Sequence, residues 1–186
     1  MMRAIIVPPA LAPAALGTLK AWLGVSTSRD DTELEALLGA ALDLCEGFTG
    51  AMPLVATCED VIAAARCWQP LSARPVGAIT AVSALALDGT RRGLATSDFA
   101  LEIDPDGTGR VRLVNVQPES RLVVTYSAGL AADWDALPEP LRQGVVRMAA
   151  HQHRERDVDT AKDGPGAVPP AAVAALWRPW RRMRVA

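Results

Sequence analysis

The stretch DDTELEALLGAALDLCEGFTG, residues 30–50, carries the clearest structural pattern in the chain. From Leu34 onward its apolar residues recur every three or four positions, which predicts an amphipathic helix with one buried face. Asp30 followed three residues later by Glu33 resembles a capping box at the start of this helix. Gly50 is suited to the left-handed conformation that ends a helix, so the sequence itself predicts both ends of this element.

Further helices are predicted on both sides of this one. Pro13 is well placed in a first helical turn, and a short helix with apolar residues at helical spacing would run from it to Gly24. A longer helix is expected within 137–160, because prolines open the segment and its apolar residues share a face. After a glycine- and proline-rich joint, Pro169 and Pro170 could start one more short helix ending at Trp177.

The middle of the chain, residues 55–128, changes to short runs rich in valine, isoleucine and leucine, which indicates strands. Asp88-Gly89 and the segment Asp104–Gly109 supply the residues of tight reversals, so two hairpins of a small antiparallel sheet are predicted. Charged and apolar residues alternate along the second hairpin, which predicts one wet and one buried face. The charged set is Glu102, Arg110 and Arg112, and the apolar set is Leu101, Ile103, Val111 and Leu113.

These elements predict an α+β fold: a small helical bundle with an inserted antiparallel β region and an extended C-terminal helix followed by a tail. We expect a single domain over residues 1–186. Its parts would be N-terminal helices in 9–54, a β insertion in 55–128, a bundle helix in 137–160, and a flexible joint with a partner-docking tail in 161–186.

Composition excludes several classes of protein. Half of the 186 residues are apolar and the formal net charge is -2, which suits a globular chain without a global attraction to nucleic acid or anionic membrane. No apolar run is long enough for a membrane span, and the apolar start of the chain is too short for a secretory signal. Three cysteines without tight spacing favour free thiols in a reducing compartment, and cytoplasmic synthesis is expected.

No catalytic, cofactor-binding or metal-binding constellation is evident, so neither an enzyme nor a cofactor is predicted. The chain has no phosphate-binding loop, and Ser127 lacks the glycine of a nucleophile elbow. His151 and His153 would point to different sides of a helix and cannot easily share a metal. The segment Asp104–Gly107 resembles the start of a calcium loop, but Asn115 stands where the glutamate ligand belongs, and a hairpin turn explains the segment better.

The C-terminal end is the unusual feature of the chain. Tryptophans and arginines, the pairing enriched at protein interfaces, alternate there without an acidic residue. A solvated basic tail, a tail folded back on its own domain, and stacking on single-stranded nucleic acid are alternative explanations. Docking into another protein is the favoured one, because exposed indoles require a partner to cover them. The predicted partner-binding residues are Trp177, Arg178, Trp180, Arg181, Arg182, Met183 and Arg184.

The order of short motifs resembles that of phage head-tail connector (adaptor) proteins, as found in tailed phages, prophages and gene transfer agents. The likeness extends over nearly the full chain and ends with the segment from Pro169 to Arg184. None of the motifs is catalytic, and their succession carries the resemblance. They are LKAWLG at 19–24, DDTEL at 30–34, CEGFTG at 45–50, RPV at 74–76, VVTYSAG at 123–129, LPEPLRQG at 137–144 and the helix end at 151–156.

The resemblance implies a structural subunit of a closed ring, twelve-fold in such particles, in the neck of a virion or phage-like particle. The ring would lie between the portal protein and a tail-side stopper or terminator protein, assemble in the bacterial cytoplasm, and pass DNA through its channel without reading its sequence. Under this resemblance the segment from Trp177 to Arg184 would insert into the portal. A nucleic-acid-binding module that uses the same tail is the alternative function.

Overall fold

The computed structural model describes residues 2–157 and 169–181, which divide into two compact units. A β unit takes its described residues from Met1–Pro9 and Val55–Leu130, and a helical unit takes them from Ala10–Leu54 and Ala131–Ala186. Helices and antiparallel sheets are both present, which confirms the predicted α+β class. No helix of the described ranges is both long enough and apolar enough to span a bilayer.

In the helical unit, proline stands at the start of the first helix, and glycines stand at the ends of the first two helices. Pro13 occupies a first-turn position, and Gly24 and Gly50 adopt the left-handed conformation with φ of 73° and 75°. These ends confirm the predicted first two helices. The helices are α1 (Pro13–Leu23), α2 (Asp31–Thr49), α3 (Glu139–Asp157) and α4 (Ala171–Trp177), and a 3-10 turn follows at Arg178–Trp180.

The core of the helical unit lies along α3, which packs against α1, α2 and α4. From α2, Leu38 and Cys45 are fully buried, and from α3, Leu141 and Val145 are fully buried. Burial, and to a lesser extent the neighbouring Glu46, raises the pKa of the Cys45 thiol to about 12. Cys45 therefore stays protonated and packs as a small apolar side chain.

The predicted capping box at the start of α2 is not formed by Asp30. Its backbone has φ of -107° and ψ of 12°, and its side chain makes no capping hydrogen bond. A capping carboxylate needs an extended backbone to turn toward the first free amides, and Asp30 lacks that conformation. Asp31 instead accepts a hydrogen bond of 2.6 Å from Lys20 Nζ, which joins the start of α2 to α1.

The β unit contains two antiparallel sheets, whereas the sequence predicted one. The larger sheet has the strand order β1-β2-β8-β4-β5, and the smaller has the order β3-β7-β6. The strands are β1 (Met2–Val7), β2 (Ala56–Ala63), β3 (Gln69–Pro70), β4 (Val76–Leu85), β5 (Arg91–Gly93), β6 (Phe99–Ile103), β7 (Gly109–Leu113) and β8 (Arg121–Ala128).

Both predicted hairpins are confirmed. Gly89 between β4 and β5 and Gly107 between β6 and β7 have φ of 88° and 78°, a conformation that disfavours side chains. The Asp88 and Asp106 carboxylates each accept a hydrogen bond of 2.9 Å from the amide two residues ahead. These bonds also hold the pKa of both carboxyls below their usual value.

The predicted wet and buried faces hold for β7 but not for β6. Val111 and Leu113 are buried, whereas Leu101 and Ile103 are 43% and 44% exposed. The reason is topological, because β6 is an edge strand of the three-stranded sheet and β7 is its centre. Alternation in a sequence predicts two faces of a strand, but it does not predict whether anything covers either face.

Acidification is expected to weaken the β unit through the carboxylate of Glu59. Arg91 Nη1 and Nη2 donate to its two oxygens at 2.7 and 3.0 Å. This pairing holds the pKa of Glu59 below 4.5 in the folded chain. Since the folded-state pKa is the lower one, the stabilisation is present above the unfolded value and is lost as the pH falls through the folded value.

The measurement is the thermal unfolding midpoint between about pH 6 and pH 3, compared between wild type and Glu59→Gln. Protonation of other carboxyls with a lowered pKa, such as that of Glu119, destabilises both proteins in acid. The difference between their two curves therefore reports the contribution of Glu59. We expect a shallower fall for Glu59→Gln. Parallel curves would contradict a contribution from this pair.

Candidate partner-binding surface

The described part of the C-terminal segment is short and starts with proline. Pro170, with φ of -50° and ψ of 149°, precedes the seven-residue helix α4. Val173 and Trp177 lie four positions apart on α4 and are both buried, so they form its inward face. Pro179 then lies in the 3-10 turn that directly follows Trp177. The start and end predicted for α4 are confirmed.

Trp177 is a core residue of the helical unit. Its side chain has no exposed area, and its indole Nε1 donates a hydrogen bond of 3.4 Å to the backbone oxygen of Leu141 in α3. The Phe48 ring of α2 lies 5.9 Å away, centroid to centroid, at 50° to the indole plane. Gly144 makes room for the indole, since a Cβ there would lie 2.7 Å from Trp177 Cδ1. The indole therefore joins α2, α3 and α4.

The residues after Trp177 lie at the surface of the same unit. Arg178 is exposed and Trp180 is half-buried. The Arg181 guanidinium carbon lies 5.5 Å from the centroid of the Phe48 ring, in cation–π range. Phe48 thus contacts both the buried indole of Trp177 and the exposed arginine.

The structure separates the predicted partner-binding residues into a buried one and an exposed set. Trp177 belongs to the core. Its position matches the alternative in which the tail folds back on its own domain. Arg178, Trp180 and Arg181 remain at the surface and are named here the tail turn. The remaining predicted residues, Arg182, Met183 and Arg184, lie outside the described residues.

Phe48 and Gly144 contribute to this surface, although the sequence alone places Phe48 only on the apolar face of α2 and Gly144 only in the motif at 137–144. Gly144 carried a usable signal, because a glycine inside a helix costs about 1 kcal/mol relative to alanine. Such a residue often marks the close approach of a bulky group, here the indole of Trp177.

Polar chemistry inside the β unit is structural. Asp60 is fully buried, and its two oxygens accept hydrogen bonds of 2.7 and 2.6 Å from the Ser72 amide and hydroxyl. The Tyr126 hydroxyl accepts a bond of 3.1 Å from the Ala73 amide, and burial raises the pKa of this tyrosine to about 12. Within the described ranges, no three His, Cys, Asp or Glu side chains are placed to hold a metal ion.

Four arginines of the β unit and α3 pair with neighbouring acids, whereas Arg66, Arg112 and Arg147 form no ion pair with another described residue. The pairs are Arg91 with Glu59, Arg92 with Glu119, Arg110 with Asp104, and Arg142 with Glu139. In the tail turn, Arg178 and Arg181 likewise form no ion pair with another described residue. A guanidinium group can pair with a carboxylate or a phosphate through its planar set of donors.

No protein-family model and no curated protein matches the sequence. Solved structures do match, each over 100% of this chain and 98% of theirs. One is a chain from the neck of an empty gene transfer agent (GTA) particle computed with C6 symmetry, with a TM-score of 0.76 and 25% identity. Another is from the neck of a native GTA particle computed with C12 symmetry, with a TM-score of 0.74 and 26% identity. A third, from the virion of a native GTA particle, has a TM-score of 0.72 and 25% identity.

The likeness spans both the helical and the β unit, because the whole chain is covered in each comparison. It confirms the resemblance predicted from the order of motifs, since neck and virion chains of a GTA particle are consistent with the head-tail connector (adaptor) family of phages.

Proposed function

We propose that this chain is a structural head-tail connector subunit of a phage or phage-like particle. In this role it forms a ring in the neck, between the portal and the tail, around a channel through which DNA passes. The supporting observation is the full-length likeness, at 25–26% identity, to chains of GTA particle necks. No bond-making step is part of the proposal.

The ring is proposed to consist of copies of this one chain. The similar necks were computed with C6 and C12 symmetry, and a dodecamer is compatible with both. Such a ring uses heterologous contacts, in which one face of each copy meets a different face of the next. A tail-side stopper or terminator protein would contact the other end of the ring.

Portal binding is proposed to use the tail turn together with Arg182, Met183 and Arg184. Trp180 supplies an indole that is only half-buried, and Arg178 and Arg181 supply guanidinium groups without an intramolecular ion pair among the described residues. Arginine pairs strongly with carboxylates because its donors form a planar fork. Trp177 would act indirectly, by holding the tail turn on the helical unit.

A triple variant, Arg178→Glu, Trp180→Ala and Arg181→Glu, tests this proposal without removing Trp177. Ending the chain before Trp177 would be a poor test, since it deletes a core side chain. We expect affinity for the purified portal to fall at least ~30-fold, which corresponds to the loss of one interface hot spot. The measurement is a titration by biolayer interferometry.

Arg66→Glu in the β unit is the matched control, because Arg66 is also exposed and unpaired among the described residues. It should bind portal as the wild type does. Equal binding by the triple variant would contradict the role of the tail turn, and no portal binding by wild type would contradict the proposed function itself.

A nucleic-acid-binding module is the second candidate, and the unpaired Arg178 and Arg181 favour it. Binding through phosphates releases counterions, so DNA affinity would fall steeply as salt rises. Fluorescence anisotropy with single- and double-stranded oligonucleotides, at low and at moderate salt, measures this dependence. A weak signal that does not change with salt would reject this candidate and leave the connector proposal intact.

A further inference from the structure

An exposed tryptophan and a half-buried arginine form a cation–π pair on the α1–α3 side of the helical unit. Trp22 of α1 is 46% exposed, although it is one of the largest apolar side chains. The Arg147 guanidinium carbon of α3 lies 5.3 Å from the centroid of its ring. Arg147 Nε is buried without a hydrogen-bond partner in the described ranges, and the guanidinium makes no ion pair there. Trp22 and Arg147 are named here the α1–α3 patch.

The residue types of this patch are those that contribute most at protein interfaces. Tryptophan and arginine are enriched among interface hot spots. A guanidinium stacked on an indole loses less conformational freedom when it binds a carboxylate, because the stack already restricts it. The patch is therefore suited to a partner surface that brings a carboxylate to Arg147 and covers Trp22.

A surface of that kind lies on α2, along a row of residues that starts beside its buried face and runs outward. Glu35 and Asp43 are exposed there, and neither forms an ion pair or hydrogen bond within the described part of the chain. Gly39 and Gly47 continue the same line at four-residue spacing. A Cβ on either glycine would have no described atom within 4 Å, so no neighbour in the described ranges requires glycine at these positions.

We propose that the α1–α3 patch of one copy docks onto the Glu35–Gly47 line of α2 in the next copy, with Arg147 pairing with Glu35 or Asp43. This inference rests on the proposed function, since it specifies the heterologous contact of the ring. Charge complementarity selects a second copy as the occupant, because the cation of the patch and the carboxylates of the line both lack partners among the described residues. The glycines allow the indole to approach α2 closely.

Two charge-reversed variants of the full-length chain test the contact. One is Arg147→Glu, and the other combines Glu35→Arg with Asp43→Arg. Each places like charges across every contact in a ring of identical copies, so we expect self-association of each variant alone to weaken at least ~10-fold. Sedimentation velocity over a concentration series measures this, and Arg66→Glu again serves as the exposed-charge control.

An equimolar mixture of the two variants gives the decisive result. If the copies alternate, one contact pairs the introduced glutamate with the introduced arginines and the next is the native contact, so every contact is complementary. We therefore expect the mixture to associate within ~3-fold of wild type. The proposal is overturned if the mixture does not recover, if either variant alone associates normally, or if wild type remains monomeric up to about 1 mM.

The portal titration separates this contact from the proposed function. Variants that bind portal but do not recover association when mixed would reject the contact and leave the connector proposal standing. A wild-type chain that does not bind portal would contradict the connector proposal, whatever its self-association. If the variants assemble normally but no longer bind a tail-side protein, the α1–α3 patch binds that protein, and the proposed contact between copies is overturned.

Discussion

Replacing Trp177 by alanine is expected to lower the free energy of unfolding of the helical unit by about 3–5 kcal/mol. The indole has no exposed area and occupies space that Gly144 leaves open. Its removal leaves a cavity between three helices and deletes the hydrogen bond to the Leu141 backbone oxygen. Chemical denaturation, with hydrogen exchange of the α3 and α4 amides as a local readout, measures the loss.

Trp180→Ala is the matched control for Trp177→Ala. It removes the same side chain three positions later, from a half-buried site, and should cost well under half as much stability. The comparison also tests the sequence-based role of Trp177 as a partner anchor. A Trp177→Ala chain that keeps its stability but loses portal binding would support that role and contradict a core function for the indole.

Replacing Asp60 by alanine is expected to destabilise the β unit by about 1–3 kcal/mol, because two hydrogen bonds to a buried carboxyl group are lost. Asp60 is fully buried, and both of its hydrogen bonds come from Ser72. Without the carboxyl group, the Ser72 amide and hydroxyl lose the acceptor that joins them to β2. Denaturant unfolding followed by the hydrogen exchange of the β2 and β8 amides measures this change.

Asp60→Asn and Ser72→Ala are the controls for Asp60→Ala, because each removes only part of the hydrogen bonding between Asp60 and Ser72. Asparagine keeps one acceptor oxygen, and Ser72→Ala removes the hydroxyl while leaving the amide bonded to Asp60. Both should cost less than Asp60→Ala. If Asp60→Ala were as stable as wild type, the buried carboxyl group would have no structural role, and a functional role for it would have to be sought.

The helices were predictable from the sequence because their signals are local. Pro13 and Gly24 limit α1, Gly50 ends α2, and Pro170 precedes α4. Each signal acts through the backbone conformation of one residue, which does not depend on the rest of the fold. The hairpin turns at Gly89 and Gly107 were predictable for the same reason.

Strand β1 was not predictable because its six residues, MRAIIV, show no regular alternation of apolar and polar side chains. It becomes a strand only by pairing with β2, from Met2 with Val61 to Val7 with Thr57, and β2 lies far along the chain. The exposure of Leu101 and Ile103 has the same origin, since only the strand order makes β6 an edge. Long-range pairing leaves little trace in a local pattern.

The sequence predicted which residue types form the candidate surface, but it did not predict which of their side chains are buried. Trp177 and Trp180 look alike in the sequence, yet one lies in the core and the other near the surface. The difference depends on Gly144 and Phe48, which lie on two other helices. A residue type enriched at interfaces is often also a core residue, because both environments remove apolar area from water.

The path of the chain between the two units has a consequence for engineering. The β unit interrupts the helical unit between Leu54 and Ala131, and these two residues pair in a parallel β-bridge, with the Ala131 amide donating to the Pro53 oxygen at 3.1 Å. Since the two ends of the interruption are already neighbours, a short glycine linker could join them if residues 1–9 were removed as well. One internal deletion and one trimmed terminus would thus leave a chain that contains the helical unit alone.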